Sequence, residues 1–387
     1  MPSRRLPHSL EPNAFSLEQD RLRQEGRSWL DLTGSNPTRA GFEYPDLEIL
    51  AALGDPGVLA YQPDARGSAA TRTAIAAYHG HGLEADDLLL TASTSEAYGY
   101  LFKLLCDPGD EVLVPSPSYP LFHWLAALEG VEARTVPAIP FEGWSLDLEG
   151  LAAACTPRTR AVVVVNPNNP TGHFLALEEW RGLLALCSQR GLALLVDEVF
   201  SDYALEARPG RLATAMAEQA PDCPLFVLSG LSKVAALPQI KLGWIAARGA
   251  QAKALLEPLA FLADQYLSVS ASAQAAGPAL LALAPGIRAG ILDRMRTNLA
   301  ALDRLLLEHP HLGRLPVEGG WSVLLRRPAL GSGEDCVLEL LRAGVLVHPG
   351  HFFDLPGEGY LVLSLLPPPE RFLEGICLMA AVLSPQG

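Results

Sequence analysis

The stretch Ala161–Gly172, with the sequence Ala-Val-Val-Val-Val-Asn-Pro-Asn-Asn-Pro-Thr-Gly, decides the fold. It begins with an uninterrupted apolar run, which is typical of a strand covered on both faces of a parallel sheet. The remainder, Asn166–Gly172, is rich in asparagine and proline and predicts a rigid loop. In such a loop Asn169 can present its side-chain amide to a ligand.

The same arrangement of a buried strand followed by polar residues recurs on both sides of this stretch. Apolar runs alternate with helical patterns between about residues 45 and 265, which predicts an α/β core with a mostly parallel sheet. The predicted strands are Leu88–Leu90, Glu111–Val114, Ala161–Val165, Leu192–Val196, Leu225–Leu228 and Trp244–Ala246. The helices predicted between them include Ser95–Leu105 and Leu177–Arg190.

The C-terminal third has a different pattern, which predicts a smaller α+β domain. Its predicted elements are helical stretches at Leu255–Leu283 and Ile287–Leu307, strands at Trp321–Leu325, Val345–Val347 and Leu361–Leu365, and helices near 334–343 and 370–383. We therefore expect residues 45–265 to form a large domain and residues 266–387 a small one. Residues 1–44 are expected to pack on the small domain and the cleft.

The composition is that of an ordinary globular protein, with 49% hydrophobic and 19% charged residues and a net charge of −14. Such acidity argues against nucleic-acid and anionic-membrane partners, which need a basic surface. No uninterrupted apolar run approaches the roughly 18 residues of a membrane span, and residues 1–19 lack the apolar centre of a signal peptide. The six cysteines form no CxxC pair, and no cluster has metal-ligand spacing. We expect a cytoplasmic, bacterial protein without a metal.

Chemically useful side chains follow several predicted strands, at the edge of the sheet where α/β proteins bind ligands. Ser93 and Glu96 fit the start of a helix, whose free N–H groups suit a phosphate. Asp197 ends an apolar strand, where a carboxylate is costly unless a cation or several donors pair with it. Burial would lower the pKa of Lys233 and make its amine nucleophilic, and Lys241 is a second cation. The combination suits pyridoxal phosphate, which needs an amine and a carboxylate partner for its ring nitrogen.

From about Leu30 to its C-terminus, the chain resembles the class I/II pyridoxal-phosphate aminotransferases of fold type I. The most specific matching pieces are Asn166–Gly172, Asp197-Glu198, and Ser232-Lys233 followed by Lys241 and Gly243. Supporting pieces are Tyr61, Gly67, Arg72, Asp107–Asp110, Pro115–Pro120, His348–Gly350 and Phe353. The resemblance implies a type I large domain with a smaller α+β domain, and a homodimer with shared active sites.

The resemblance also implies a role for each matched residue. Lys233 would form the internal aldimine and later move a proton between the substrate Cα and the cofactor C4′. Asp197 would pair with the pyridinium nitrogen, Asn169 would donate to the 3′-oxygen, and Tyr119 would stack on the ring. The phosphate would be bound by Thr94, Ser95, Ser232 and Lys241, and by Tyr61 of the neighbouring subunit.

The chain departs from the family at four positions. Phe200, Gly230 and Lys241 stand where the family has Tyr, Ser and Arg. Hydrogen bonds to charged groups contribute roughly 1.5–3 kcal/mol each, so we expect weaker cofactor binding that is not abolished. Val362 stands where the family has the Arg that grips the substrate α-carboxylate.

The loss of that arginine disfavours a carboxylate by on the order of 3 kcal/mol. We therefore expect another cation, Arg39 or Arg326, to replace it, or a substrate that lacks a carboxylate there. The candidate substrate-binding residues are Ser35, Asn36, Arg39 and Arg326. Transamination of an amino acid or related amine is the first hypothesis. The alternatives are other chemistries of the same cofactor, namely those of a lyase, decarboxylase, racemase or cyclase, and more remotely an effector-binding regulatory module.

Overall fold

The computed structural model describes residues 3, 5–7, 10–140, 143–206, 209–218, 222–328 and 331–384. Within those residues the strands form a seven-stranded sheet, a four-stranded sheet and a two-stranded pair. The strands are β1 (Leu30–Asp31), β2 (Leu88–Thr91), β3 (Glu111–Ser116), β4 (Glu132–Pro137), β5 (Thr159–Val165), β6 (Ala193–Asp197), β7 (Leu225–Gly230), β8 (Gly243–Arg248), β9 (Gly313–Arg314), β10 (Ser322–Arg326), β11 (Val345–Leu346), β12 (His348–Pro349) and β13 (Tyr360–Ser364).

The α-helices of the described residues pack on these sheets. They are α1 (Ala14–Gln24), α2 (Asp46–Leu53), α3 (Ala69–His79), α4 (Thr94–Leu105), α5 (Phe122–Leu128), α6 (Leu148–Ala154), α7 (Leu177–Arg190), α8 (Leu231–Val234), α9 (Gly249–Lys253), α10 (Leu256–Asp264), α11 (Ala271–Glu308), α12 (Gly333–Ala343) and α13 (Pro369–Leu383). The predicted helix Leu177–Arg190 is confirmed, and it ends at Gly191 in a left-handed conformation.

The large sheet has the strand order β2-β8-β7-β6-β5-β3-β4. All neighbours are parallel except β8, which is antiparallel to both β2 and β7. The predicted mostly parallel sheet is confirmed, and β8, the predicted strand Trp244–Ala246, is its antiparallel member. The chain returns from β7 within residues 231–242 without the long crossover helix that a parallel neighbour needs. Strand β4 was not predicted because it lies at an edge, and most of its residues are not buried.

Both faces of the large sheet are covered, which explains the uninterrupted apolar runs of its central strands. One face packs against α3, α7 and the first part of α11. The opposite face packs against α4, α5 and α10. The carboxyl ends of the parallel strands are therefore the place where polar side chains can meet a ligand.

A second core surrounds the small sheet, which has the order β12-β13-β10-β9. Val362 of β13 lies opposite Leu324 of β10 and His348 of β12. Strand β1, from the N-terminal segment, pairs in parallel with β11. Phe15, Leu22 and Leu32 are buried in the second core, so residues near the N-terminus pack with the small sheet.

Helix α11 runs without interruption from Ala271 to Glu308, although two separate helical stretches were predicted there. It contains Pro278 and Pro285, and it contributes buried residues to both cores. The boundary predicted at residue 265 stays a prediction, because the helix that follows packs on both sheets. By length and composition α11 is also the one described helix that could cross a membrane. Its residues buried in the two cores account for much of this apolar character.

Gly172 offers a stability test of the loop after β5, whose backbone is hydrogen-bonded to the segment that precedes β10. Its φ is +71°, its carbonyl accepts hydrogen bonds from Glu318 N and Gly319 N, and an added Cβ would lie 2.6 Å from Val317 Cγ2. We expect Gly172→Ala to lower the free energy of unfolding by about 3 kcal/mol, because backbone strain and overpacking add. The control is Gly191→Ala, where φ is +65° and no atom lies near, with an expected loss of about 1 kcal/mol. Equal losses in urea titrations of the two variants would contradict the steric argument.

Candidate active site

The sheet topology brings the predicted site residues to one edge. Strand β2 runs in the same direction as β5, β6 and β7, because it is antiparallel to β8 and β8 is antiparallel to β7. Thr91 at the end of β2 and Gly230 at the end of β7 both pair with Gly243. The residues after these strands therefore surround one cleft.

Asp197, at the end of β6, is a buried carboxylate with defined partners. Its Oδ2 accepts a hydrogen bond from the Tyr98 hydroxyl at 3.1 Å, and its Oδ1 accepts one from Val199 N at 3.0 Å. Burial raises the pKa of Asp197 to about 6, although these hydrogen bonds and the charge of Lys233 oppose the shift. A cationic group bound beside Asp197 would compensate the cost of burying its charge.

Lys233 lies in the short helix α8, directly after β7. Burial lowers the pKa of its amine to about 8, and the charge of Asp197 opposes that shift. The amine lies 4.6 Å from the centre of the Trp321 ring and 5.5 Å from that of Phe200. The Tyr203 hydroxyl donates to the Lys233 carbonyl at 2.6 Å and fixes the backbone. A large fraction of this amine is neutral, and hence nucleophilic, near pH 8.

The asparagines of the Asn166–Gly172 loop differ in how their amides are used. Asn166 donates to the Leu212 carbonyl and accepts from Leu175 N. Asn168 donates to the Pro117 carbonyl and accepts from Thr171. Asn169 is half-buried and has no hydrogen bond to another described residue. Its amide is therefore free to meet a ligand, and its role in binding one stays a prediction.

Helix α4 begins at the edge of the same cleft. The Ser93 hydroxyl caps it by accepting from Glu96 N at 3.1 Å. The predicted capping box is wrong in one half, because Glu96 accepts from Ala92 N and from the Ser268 hydroxyl instead of from Ser93 N. The half-buried Thr94 and Ser95 form the first turn, so their N–H groups have no partner within the helix.

The backbone of Gly243 approaches this helix start closely. A Cβ there would lie 3.0 Å from Thr91 Oγ1 and 3.2 Å from the carbonyl carbon of Ser93. Ser232, half-buried, precedes Lys233 in α8. Lys241 is exposed and has no ion pair with a described residue. These residues leave a cationic, donor-rich position that suits a phosphate.

The two tyrosines predicted for the site, Tyr119 and Tyr61, lie in different parts of the structure. Tyr119 follows β3, and burial together with the charge of Asp197 raises the pKa of its hydroxyl, so it lies within electrostatic reach of that carboxylate. The neighbouring Ser118 N donates to the Phe353 carbonyl, which ties this loop to the small domain. Tyr61 is 83% exposed and lines a separate cavity of about 370 Å³, whose lining does not include Lys233.

The candidate substrate-binding residues also lie in two different places, a segment near the N-terminus and the end of β10. Ser35, Asn36 and Arg39 are exposed, and the side-chain Oδ1 of Asn36 accepts from Thr38 N at 3.1 Å. Their segment is tied to β13 by the Ser364 hydroxyl, which donates to the Gly34 carbonyl at 2.7 Å. It is tied to the lysine region by the Tyr44 hydroxyl, which donates to the Ala236 carbonyl at 3.0 Å.

Arg326 is exposed at the last position of β10, where it pairs with Tyr360. Trp321, which contacts Lys233, precedes the first residue of the same strand. About five residues of extended chain, or roughly 16 Å, thus separate Arg326 from the site. Val362, two residues before Ser364, is buried among Leu324, Trp144 and Leu355.

Three contacts of the site were not predicted from the sequence. Tyr98 binds Asp197, Tyr203 binds the Lys233 backbone, and Trp321 covers the Lys233 amine. Tyr98 lies one helical turn after Thr94, so its position on the face of α4 toward the sheet could have been inferred from helical spacing. The other two come from distant parts of the chain, and only the tertiary fold brings them to Lys233.

Comparisons with known proteins agree with this geometry. The family model "Aminotransferase class I and II" matches residues 32–365. An alanine aminotransferase of Mycobacterium tuberculosis is 29% identical over 373 residues, which cover 90% of this chain and 83% of the relative. The glutamate-pyruvate aminotransferase AlaA of Escherichia coli is 31% identical over 265 residues, covering 66% and 64% of the two chains.

Solved structures show the same fold. An alanine aminotransferase from Pyrococcus furiosus superposes with a TM-score of 0.86, with 25% identity and 95% of each chain covered. An aspartate aminotransferase from Thermus thermophilus with maleate superposes with a TM-score of 0.82 and 26% identity, over 99% of this chain and all of that one. The chain therefore belongs to the class I and II aminotransferases, and it is a pyridoxal-phosphate-dependent transaminase of fold type I.

Proposed function

We propose that this enzyme transfers the amino group of a small amino acid, with alanine and glutamate the first to test, to a 2-oxo acid, with pyridoxal phosphate bound on Lys233. The observation that carries this proposal is the half-buried Lys233 amine, which lies beside the rings of Trp321 and Phe200 and within electrostatic reach of the buried carboxylate Asp197. The names of the alanine and glutamate-pyruvate aminotransferases among its relatives support the choice of substrates. We further propose a bacterial, cytoplasmic enzyme.

The residues of the cleft fit this cofactor. Thr94, Ser95, Ser232 and Lys241 would bind its phosphate, since they combine free N–H groups, hydroxyls and a positive charge. Asn169 would donate its free amide to the ring oxygen, and Tyr119 would cover one face of the ring. Asp197 would pair with the ring nitrogen, which offsets the cost of burying its charge.

When bound, pyridoxal phosphate supplies an aldehyde that captures an amine and a ring that accepts an electron pair. The chain's own residues supply binding, orientation and proton transfer. Asp197, held by hydrogen bonds from Tyr98 and Val199, would hold a proton on the ring nitrogen. Lys233 Nζ, partly neutral near pH 8, takes up a proton and returns it. The rings of Trp321 and Phe200 lie beside the amine and cover part of it.

We propose that Arg39, rather than Arg326, replaces the arginine that is absent at position 362. Two hydrogen bonds tie the segment of Arg39 to β13 and to the residues just after Lys233. Arg39 is exposed and has no ion pair with a described residue, so its guanidinium is free to bind a carboxylate. Arg326 lies at the far end of β10.

The test is the half-reaction with L-alanine and L-glutamate, followed by the absorbance of the cofactor. We expect Arg39→Ala to lower kcat/KM by about a hundredfold, because a hydrogen-bonded ion pair to the substrate is lost. The matched control, Arg326→Ala, should leave kcat/KM unchanged. Normal saturation of the Arg39→Ala variant by both amino acids would contradict the assignment.

The same measurements, repeated with L-serine and L-cysteine, separate transamination from a lyase reaction. A transaminase gives a 2-oxo acid and the amine form of the cofactor. A lyase acting on serine or cysteine gives pyruvate and free ammonia while the aldehyde form persists. Release of ammonia without the amine form of the cofactor would favour the lyase.

We also propose a homodimer in which Tyr61 reaches the phosphate of the neighbouring site. Tyr61 is strongly exposed beside an open cavity that is also lined by Tyr100 and Ser268. Other large apolar side chains of nearby segments are exposed, namely Leu59, Phe261, Tyr266 and Leu267. Exposed apolar surface of this kind is typical of a contact between subunits.

A further inference from the structure

The short helix α8, which carries Lys233, ends in a buried backbone segment. Val234, Ala235 and Ala236 are at most 1% exposed, so bulk water does not reach their carbonyl groups. A helix leaves its last four carbonyls without partners of its own, and α8 has only four residues. Ala236 is also left-handed, with a φ of +52°, which a residue with a side chain adopts only where its surroundings impose it. The position of Lys233 therefore depends on the groups that bind this segment.

Side chains from other parts of the chain donate to the carbonyls of this segment. The hydroxyls of Tyr203 and Tyr44 bind two of them, one on each side of the Val234 carbonyl. The Val234 carbonyl itself accepts from Arg288 Nη1 at 3.0 Å. Arg288 lies in α11, so this bond joins the helix that packs on both sheets directly to the residue after Lys233.

The guanidinium of Arg288 is itself held in place. Its side chain is 14% exposed, and Nη1 forms an ion pair with Asp202 Oδ2 at 3.5 Å. Nη1 also donates to the Tyr78 hydroxyl at 2.8 Å, and that hydroxyl donates in turn to Asp202. Burial and the charge of Asp202 raise the pKa of Tyr78 well above its ordinary value, so the hydroxyl keeps the proton that it donates. Three polar groups thus fix the nitrogen that binds the Val234 carbonyl.

We propose that Arg288 is a positioning residue of the reaction, which holds the Val234 carbonyl, fixes the backbone of α8 and so keeps the Lys233 amine in its place in the cleft. The inference rests on the proposed role of Lys233 as the residue that binds the cofactor. Arg288 acts through the backbone rather than through its charge, since burial and the charge of Asp197 account for the pKa of the Lys233 amine. A misplacement of about 1 Å can lower a rate about a hundredfold, so the hold on α8 matters for catalysis.

The first experiment measures kcat and KM in Arg288→Met, which keeps an apolar stem without donors, and in Arg288→Lys, which keeps the charge and a donor group. In Arg288→Met we expect kcat to fall about tenfold or more, because the buried carbonyl loses a charged donor, while KM for the amino acid changes less than about threefold. Arg288→Lys should recover most of the loss in kcat. An Arg288→Met variant with the wild-type kcat, or one whose whole effect lies in KM, would overturn the proposal.

The matched control is Arg327→Met. Arg327 is 7% exposed and also donates to backbone carbonyls, those of Pro328 at 2.9 Å and Glu358 at 3.0 Å, but it lies just after the far end of β10. It therefore reproduces the loss of a buried arginine without touching α8, and both kcat and KM should stay at their wild-type values. A loss in kcat as large as that of Arg288→Met would overturn the proposal, because the effect would then be one of general stability.

A second measurement needs no cofactor. Acetylation of Lys233 by acetic anhydride can be followed against pH by peptide mass spectrometry, with the ion-paired Lys103 and Lys253 as internal references. Burial lowers the pKa of the Lys233 amine to about 8, so an amine that leaves its position should react with a midpoint about one pH unit higher. We expect this rise in Arg288→Met. Tyr78→Phe, which keeps the ring and removes only the hydroxyl that binds the guanidinium, should give a smaller rise and tests the proposal even if Arg288→Met does not fold.

The outcomes of this labelling separate the proposal from the function on which it rests. A Lys233 profile that is the same in the wild type and the variants, or that moves equally for the reference lysines, would overturn the positioning role of Arg288. A wild type that stays colourless with pyridoxal phosphate would instead contradict the proposed function and leave the labelling result intact, so the two failures are distinguishable.

Discussion

Replacing Lys233 by alanine is expected to lower the rate of transamination by about four orders of magnitude or more, since covalent capture of the cofactor and proton transfer are lost together. The protein should also lose the yellow colour that the covalently bound cofactor gives. Lys233 is one of only four lysines in the chain. After reduction with borohydride, peptide mapping should therefore place the label on Lys233 in the wild type and find none there in the variant.

The remaining lysines supply the control. Lys253 forms an ion pair with Asp87 at 2.6 Å, and Lys103 forms one with Glu129 at 2.5 Å. Lys253→Ala should therefore keep its colour and its activity, because Lys253 pairs with Asp87, just before β2, and not with a residue of the site. Label on Lys103 or Lys253 with none on Lys233, or activity that survives Lys233→Ala, would refute the assignment of the nucleophile.

Asp197→Asn is expected to reduce activity and to stabilise the cofactor-free protein at the same time. Activity should fall by about 10²–10³-fold, because the ring nitrogen loses its buried anionic partner. Burial raises the pKa of Asp197 from its ordinary 3.8 to about 6, so the ionised carboxylate is destabilising in the folded chain. Removing this charge should raise the free energy of unfolding by up to about 3 kcal/mol at pH 8.

The sign of the pH dependence makes this prediction specific. The folded wild type binds a proton at Asp197 between about pH 4 and 6 that the unfolded chain has released, so wild-type stability falls as the pH rises through this window. The advantage of the variant should be absent at pH 4, grow to pH 6 and then stay constant. Glu198, whose pKa burial raises to about 7, titrates in both proteins and largely cancels in the difference. The same difference at pH 4 and pH 8, in thermal unfolding of the cofactor-free proteins, would contradict the argument.

Most of the central sheet could be predicted from the sequence because its strands are buried on both faces and are therefore uninterrupted apolar runs. Edge strand β4 escaped the same criterion, since its Arg134 and Thr135 leave no such run. The direction of β8 could not be predicted, because the pattern of a buried strand is the same in either direction. The helix predicted from Leu255 is interrupted between α10 and α11, and α11 continues across Pro285. Both features also depend on packing against both sheets.

The site was predictable where chemistry and position coincide at a strand end. Asp197, Lys233 and Asn169 follow buried strands, so the topology of the sheet was enough to bring them to one edge. The roles of Tyr203 and Trp321 could not be predicted from the sequence, because their contacts with Lys233 depend on how the small domain packs against the large one. The same reason explains why Arg39 and Arg326 were equal candidates in the sequence, whereas one lies in a segment tied to the lysine region and the other at the far end of a strand.

Helix α11 has a mechanical consequence. It is about 57 Å long, and a single rod of backbone therefore joins the two halves of the molecule. Any change in the angle between the halves must be taken up along this rod. Pro285 lies between the residues that pack on the large sheet and those that pack on the small one, and its nitrogen carries no hydrogen. The rod therefore bends most easily at the level where the cleft would have to open and close.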